Sequence, residues 1–184
     1  MKKTLMILGV VFAFGFTAQA QDDAKSSSSE GMKFGVKAGL NMTNFTGDFD
    51  SDAKTSFYVG GLVDFTVSDK FHVQPEVLYS MEGADDDAGI SYLRVPVMAK
   101  YYVAEGFNIQ AGPELAFKVA TEEDVLDDMT KSMDFGLGFG AGYEMSSGLM
   151  FDARYNLGLN NIYDGAGGFD MKNTGFQIGL GYRF

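Results

Sequence analysis

From Met32 to the C-terminal Phe184, apolar residues alternate with polar residues or glycine at a period of two. Because successive side chains of a β-strand point to opposite faces, this period predicts strands that have one apolar and one polar face. We predict eight strands, at residues 32–43, 55–67, 71–82, 90–103, 107–119, 132–145, 149–160 and 172–184. The fold class is therefore all-β.

The connections between these strands alternate in length. Residues 68–70, 104–106 and 146–148 are short links, whereas residues 44–54, 83–89, 120–131 and 161–171 are long ones. In an up-and-down barrel this alternation puts every tight turn and both termini at one rim and every long loop at the other. The pattern predicts an eight-stranded antiparallel up-and-down transmembrane β-barrel of OmpA/OmpX-like size.

Periodicity alone leaves open which face is outside, since a soluble lipocalin-like barrel has its apolar face inside. Three features favour a membrane barrel: the polar face is rich in glycine, which suits a narrow lumen; aromatic residues gather near strand ends; and the strands are long enough to cross a bilayer. On this interpretation, lipid-facing residues include Phe135, Phe139, Phe151, Tyr155, Phe176 and Leu180.

The polar face carries charges of both signs, which we expect to lie in the lumen. The cations are Lys33, Lys37, Arg94, Lys100, Lys118, Arg154 and Arg183; the carboxylates are Asp64, Glu76, Glu82, Glu114, Asp134, Glu144 and Asp152. The lumen of an eight-stranded barrel is only wide enough for side chains to fill it. We therefore expect these groups to pair across the lumen and close it, which argues against a diffusion pore.

The N-terminal residues have the features of a secretory signal. Residues 1–20 combine Lys2 and Lys3, an apolar run and Ala18-Gln19-Ala20, and predict cleavage after Ala20. Residues 21–31 are polar and serine-rich and predict a flexible periplasmic tether, and residues 32–184 form the barrel domain. Cleavage removes two lysines and no acid, so the net charge falls from −11 to −13, which disfavours nucleic-acid binding.

Three prolines fall inside predicted strands, at Pro75, Pro96 and Pro113. Proline cannot donate a ladder hydrogen bond, and a closed barrel has no free edge to hold it. We expect a bulge or a locally missing bond at each position.

The sequence favours a protein that is not an enzyme and has no cofactor or bound metal in a defined site. The single histidine, His72, lies beside a tight turn, and Ser80 and Glu76 are too far along the strand to form a catalytic group with it. The long loops are acidic, and weak divalent-cation binding there is the alternative to simple solvation. Their acidic residues are Asp48, Asp50, Asp52, Asp85, Asp86, Asp87, Glu122, Glu123, Asp124, Asp127, Asp128, Asp164 and Asp170.

Several segments resemble the outer-membrane β-barrel domain of PorT-like, porin-family proteins of Bacteroidota. They are residues 71–80, 92–102 and 111–114, which contain the three prolines, together with 34–41 at the start and 179–184 at the end. The resemblance covers nearly all of the mature chain. The resemblance implies that the protein lies in the outer membrane of a Gram-negative bacterium. It also implies that the terminal Phe184 is either an assembly signal or simply the last residue of the aromatic girdle formed near the strand ends.

We expect the protein to be a membrane scaffold that presents acidic loops outside the cell. Its partners would be outer-membrane lipid, lipopolysaccharide and, during biogenesis, the outer-membrane assembly machinery. The alternatives are a small-solute or ion channel, and an accessory factor in protein secretion, which only the PorT-like resemblance suggests.

Overall fold

The described residues of the computed structural model form eight antiparallel strands that close into a barrel in the order β1 to β8. The structure describes residues 31–47, 53–84, 88–121, 130–164 and 170–184. The strands are β1 (Met32–Gly47), β2 (Lys54–Thr66), β3 (Phe71–Ala84), β4 (Ala88–Tyr102), β5 (Phe107–Thr121), β6 (Met133–Glu144), β7 (Leu149–Gly158) and β8 (Met171–Arg183). The predicted up-and-down barrel is confirmed.

Neighbouring strands pair in chain order, and β8 closes the barrel on β1. In the closing ladder Val36 lies opposite Tyr182 and Met42 lies opposite Phe176. The short links lie at one end of the barrel, here called the turn end, and the long links lie at the other, the loop end. Gly106 and Gly148 have φ values of 73° and 89° in two of the tight turns, a conformation that glycine adopts without strain.

Strands β1, β3, β4 and β5 extend further towards the loop end than the alternation predicts. β1 continues to Gly47 rather than residue 43, and β5 continues to Thr121. Backbone pairing extends these strands beyond the residues at which the alternation of apolar and polar side chains weakens. A register shift at Ser91/Tyr92 leaves Val119 of β5 as the extra residue of a bulge.

The three prolines lie beside short gaps in the ladders, and no register shift occurs there. The β3–β4 pairing stops at Pro75↔Val97 and resumes at Leu78↔Arg94 in the same register. The gaps in the β2–β3, β3–β4 and β4–β5 ladders each include the position of one proline: Pro75, Pro96 and Pro113 respectively. Of the two expectations, a locally missing pair describes these sites and a bulge does not.

Burial alternates along the strands, so the two faces of the sheet are distinct. In β6, Asp134, Gly136 and Gly138 face the lumen, whereas Phe135 and Phe139 are exposed on the outside. The apolar face is therefore the outer one. The described part of the chain contains no helix with the length and apolarity that crossing a bilayer requires.

Several predictions concern residues outside the described ranges. These are the signal segment 1–20, the tether apart from Gly31, and the acidic loop residues other than Asp164 and Asp170.

Candidate functional site

Polar side chains fill the lumen in three charged clusters, stacked from the turn end to the loop end beneath an apolar cap. The turn-end cluster is Asp64, His72, Lys100, Tyr102, Glu144 and Arg183. The middle cluster is Lys37, Glu76, Asp152 and Arg154. The loop-end cluster is Glu82, Arg94, Glu114 and Asp134. The apolar cap is Phe45, Ile90, Tyr92, Ala116, Ile162 and Met171.

The turn-end cluster ties the last strand to β2 and β6, each of which lies two strands away around the barrel. Arg183 of β8 lies 3.3 Å from Asp64 of β2 and contacts Glu144 of β6. Lys100 lies 3.8 Å from both carboxylates. His72 Nδ1 lies 2.6 Å from Asp64 Oδ1, within hydrogen-bond distance. These contacts give His72 a place in an ion-pair network.

The middle cluster spans the lumen from wall to wall. Arg154 of β7 donates from Nη1 and Nη2 to the two oxygens of Glu76 on β3, at 2.8 and 2.5 Å. Lys37 of β1 donates to Asp152 at 2.8 Å and lies 3.8 Å from Glu76. Gln110 accepts from Arg154 at 2.9 Å. A two-point guanidinium–carboxylate pair of this kind fixes both distance and orientation across the barrel.

The loop-end cluster is centred on one arginine. Arg94 Nη2 donates to Glu82 at 2.5 Å, its Nε also donates to Glu82, and its Nη1 donates to Glu114 at 2.9 Å. Asn173 of β8 donates to Glu82 as well. Asp134 faces the same part of the lumen and is 3% exposed.

The apolar cap closes the loop end, and three of its members, Phe45, Ile162 and Met171, come from predicted loops. Ile162 follows β7, yet it is fully buried. Its N–H donates to the Met171 carbonyl at 2.8 Å, and its carbonyl accepts from the Lys131 N–H at 2.8 Å. These backbone bonds hold the segment after β7 across the end of the barrel, so apolar side chains seal it above the charges.

Inward glycines leave the space that the charged side chains occupy. A Cβ on Gly179 would lie 2.8 Å from Lys37 Cε and 3.1 Å from Asp152 Oδ2. One on Gly138 would lie 3.2 Å from Glu114 Cδ. A cavity of about 10 Å³ lies between the middle and turn-end clusters, room for roughly one water molecule. The lumen is thus filled by its own side chains.

The structure places two of the predicted lumen cations outside the three charged clusters. Lys33 is exposed at the turn end, where β1 begins. Lys118 donates to the carbonyl and hydroxyl oxygens of Thr130, at 2.6 and 3.2 Å. The other predicted lumen charges lie in the three clusters, which contain five Lys or Arg and seven carboxylates.

Neutral polar residues, which were not among the predicted lumen residues, complete the clusters. Gln74 donates to Glu76 at 2.6 Å and accepts from Lys100 at 3.0 Å. Ser80 donates to Glu82 at 2.7 Å. Strand alternation places Gln74 and Ser80 on the inward face, so the sequence pattern could have predicted that they lie in the lumen. No alternation includes Ile162, and the sequence has no comparable signal for it.

The outer surface is apolar around the barrel and aromatic near the turn end. The residues predicted to face lipid, Phe135, Phe139, Phe151, Tyr155, Phe176 and Leu180, are each 41–50% exposed. The register sets Phe71 opposite Tyr101, and Tyr143 lies between Phe107 and Phe151 on neighbouring strands. This belt matches the interfacial girdle of a membrane barrel. Phe184 is 70% exposed beside it, and its N–H donates to the Phe34 carbonyl.

Within the described ranges, no group of three or more histidine and acidic side chains has an arrangement that could hold a metal ion.

An apolar, girdled exterior around a charged and filled lumen defines a transmembrane β-barrel, the inverse of a soluble one. Residues 18–164 match the model of the family described as outer membrane protein beta-barrel domain, and the chain belongs to that family. It is an outer-membrane protein of the Gram-negative type. No curated protein matches the sequence.

Solved barrels share the fold at low sequence identity. Neisserial surface protein A is 10% identical with a TM-score of 0.55, over 82% of this chain and 97% of that one. Ail, the attachment invasion locus protein of Yersinia pestis, is 16% identical with a TM-score of 0.53, over 84% of this chain and 99% of that one. At such identities the likeness extends to the fold alone.

Proposed function

We propose that this protein is a non-enzymatic scaffold of the outer membrane, whose rigid barrel presents loops at the cell surface. The observation that carries the proposal is the filled lumen, in which three charged clusters lie beneath an apolar cap. Such a barrel offers no route through its centre. Its activity then lies in the loops at its outer end and in the contacts that they make.

The scaffold reaches its site by export. We propose cleavage after Ala20, a periplasmic tether at residues 21–31, and recognition of the exposed terminal Phe184 by the outer-membrane assembly machinery. The apolar exterior contacts lipid and lipopolysaccharide, and the acidic loops bind divalent cations weakly at the surface.

A conductance measurement distinguishes the scaffold function from the channel function. Purified wild-type protein in a planar bilayer should show no steady single-channel current, because ion pairs and apolar side chains occupy the path that ions need. A porin with an open lumen, recorded in the same bilayer, controls for successful insertion. Stable currents from the wild type would contradict the sealed scaffold and support the channel.

The second candidate is an accessory role in protein secretion, which the resemblance of residues 71–80, 92–102 and 111–114 to PorT-like proteins of Bacteroidota favours. Cross-linking in intact cells, followed by purification of the barrel, separates the two candidates. Recovery of secretion components with the barrel supports the accessory role. Recovery of envelope or surface components alone supports the scaffold, as does a loop-dependent attachment of cells to a surface.

A further inference from the structure

The small cavity between the middle and turn-end clusters lies against β6 at a glycine. Gly142 stands opposite Asn108 of β5 and opposite Asp152 of β7, so the three residues form one inward-facing row. Because Gly142 has no side chain, a space of about 10 Å³ remains between the side chains around it. A Cβ on Gly142 would lie 3.2 Å from Asn108 Oδ1. The amide of Asn108 therefore borders this space.

Arg154 lines the same cavity and has one hydrogen-bond donor left over. Its Nη1 and Nη2 donate to Glu76, and Nη2 also donates to Gln110. Its Nε is buried and has no hydrogen-bond partner among the described residues. Asp152 Oδ1 lies 3.5 Å from Nε without forming a hydrogen bond. The guanidinium thus has an N–H without an acceptor beside the cavity.

Lys100 lines the cavity as well and has donors without acceptors. Its Nζ donates to Gln74 Oε1 at 3.0 Å. The nearest oxygens of Asp64 and Glu144 lie 3.8 Å from Nζ, beyond hydrogen-bond distance. An ammonium group has three N–H donors, so two of those on Lys100 have no acceptor in the part of the chain that the structure describes.

Asn108 supplies an acceptor that lacks a donor. Its side chain is 1% exposed, and within the described ranges its Oδ1 has no hydrogen-bond partner. A buried carbonyl oxygen without a donor is unfavourable, as is a buried N–H without an acceptor. Donors and an acceptor that need partners therefore border one space.

The combination of donors and an acceptor defines which ligand fits. An anion would accept hydrogen bonds from Lys100 and Arg154 but could not donate one to Asn108 Oδ1. A metal cation would bind that oxygen but would be repelled by the two positive side chains. A water molecule both accepts and donates, and a cavity of this size holds about one.

We propose that this cavity is a binding site for a single water molecule, which accepts hydrogen bonds from Arg154 Nε and Lys100 Nζ and donates one to Asn108 Oδ1. Each of these three side chains is at most 4% exposed, so the water exchanges slowly with solvent. Lys100 belongs to the turn-end cluster and Arg154 to the middle cluster. The water joins the two clusters beside Gln74, which contacts both.

Nuclear magnetic resonance of the protein in detergent micelles, with isotope-labelled arginine, tests the proposal directly. The Nε–H of Arg154 should give a cross-peak with water that has opposite signs in the laboratory-frame and rotating-frame Overhauser spectra. Such a pair of signs identifies a water molecule that stays bound for longer than the barrel takes to tumble. Hydrogen exchange with solvent gives the same sign in both spectra.

Substitutions at Asn108 test its part in the site. N108L keeps the number of side-chain heavy atoms but removes the acceptor, so the cross-peak should disappear. N108D keeps an oxygen at the same place and should retain it. N156L is the matched control: Asn156 is also buried with an unpartnered Oδ1, but it does not line the cavity, and its loss should leave the cross-peak unchanged.

Three outcomes would overturn the proposal. One is a wild-type spectrum without a cross-peak of opposite sign, and another is a cross-peak that N108L leaves at full intensity. The third is an Arg154 Nε–H resonance that shifts with added chloride or bromide until it saturates, at constant ionic strength, which would mean that the site binds an anion. The wild-type and halide measurements need no variant, so they decide the proposal even if N108L does not fold.

Discussion

Arg154 illustrates what a single inward-facing residue contributes to this barrel. It lies on β7, is 1% exposed, and binds Glu76 on β3 at two points and Gln110 on β5 at one. Alternation along the strand places its side chain in the lumen, but only closure of the barrel brings Glu76 from the opposite wall to meet it.

Replacing Arg154 by methionine should destabilise the barrel by about 3–5 kcal/mol, because Glu76 would remain buried with Lys37 as its remaining cation, 3.8 Å away. Urea unfolding of protein in lipid vesicles measures the change. Lys33→Met is the matched control: Lys33 shares the inward alternation but is exposed, so its loss should alter stability by no more than about 0.5 kcal/mol. Equal effects of the two substitutions would mean that the middle cluster does not stabilise the fold.

The proline sites show how strands tolerate a missing donor in a closed barrel. The gaps fall on adjacent ladders, between β2 and β3, β3 and β4, and β4 and β5. The ladders of β6 with β7 and of β7 with β8 are continuous. One part of the wall therefore has fewer inter-strand hydrogen bonds than the rest.

Amide hydrogen exchange should reveal this difference between elements. Amides within the gaps, such as those of Val77 and Met98, should exchange faster than amides at similar depth in β6 and β7, such as those of Phe139 and Tyr155, because local opening breaks fewer bonds there. Nuclear magnetic resonance of the protein in detergent micelles measures each rate. Uniform protection across the two regions would contradict this expectation.

At the scale of the whole molecule, the barrel has no free sheet edge, since β8 pairs with β1. Every strand is then held on both sides, and such barrels resist detergent unfolding because their backbone groups are satisfied between strands. Unheated protein should migrate at a different apparent mass from boiled protein on a denaturing gel, with a circular dichroism spectrum dominated by strand. Identical migration with a helical spectrum would refute the fold.

The amino-acid sequence by itself determined the architecture, because the information is local. A period of two defines the strands and their faces, and the alternation of short and long links defines an up-and-down order. Alternation also identified most of the lumen charges, including Lys37, Glu76 and Arg154.

Only the tertiary structure decided which of these charges meet and how the barrel is closed at its loop end. The pairs join residues far apart in the chain, 78 positions in the case of Glu76 and Arg154, and depend on the register of all the strands between them. Ile162 belongs to the apolar cap because backbone hydrogen bonds to Met171 and Lys131 hold it there. No side-chain pattern in the sequence predicts these bonds. Lys33 lies outside the clusters because it stands at the start of β1, where its side chain is exposed.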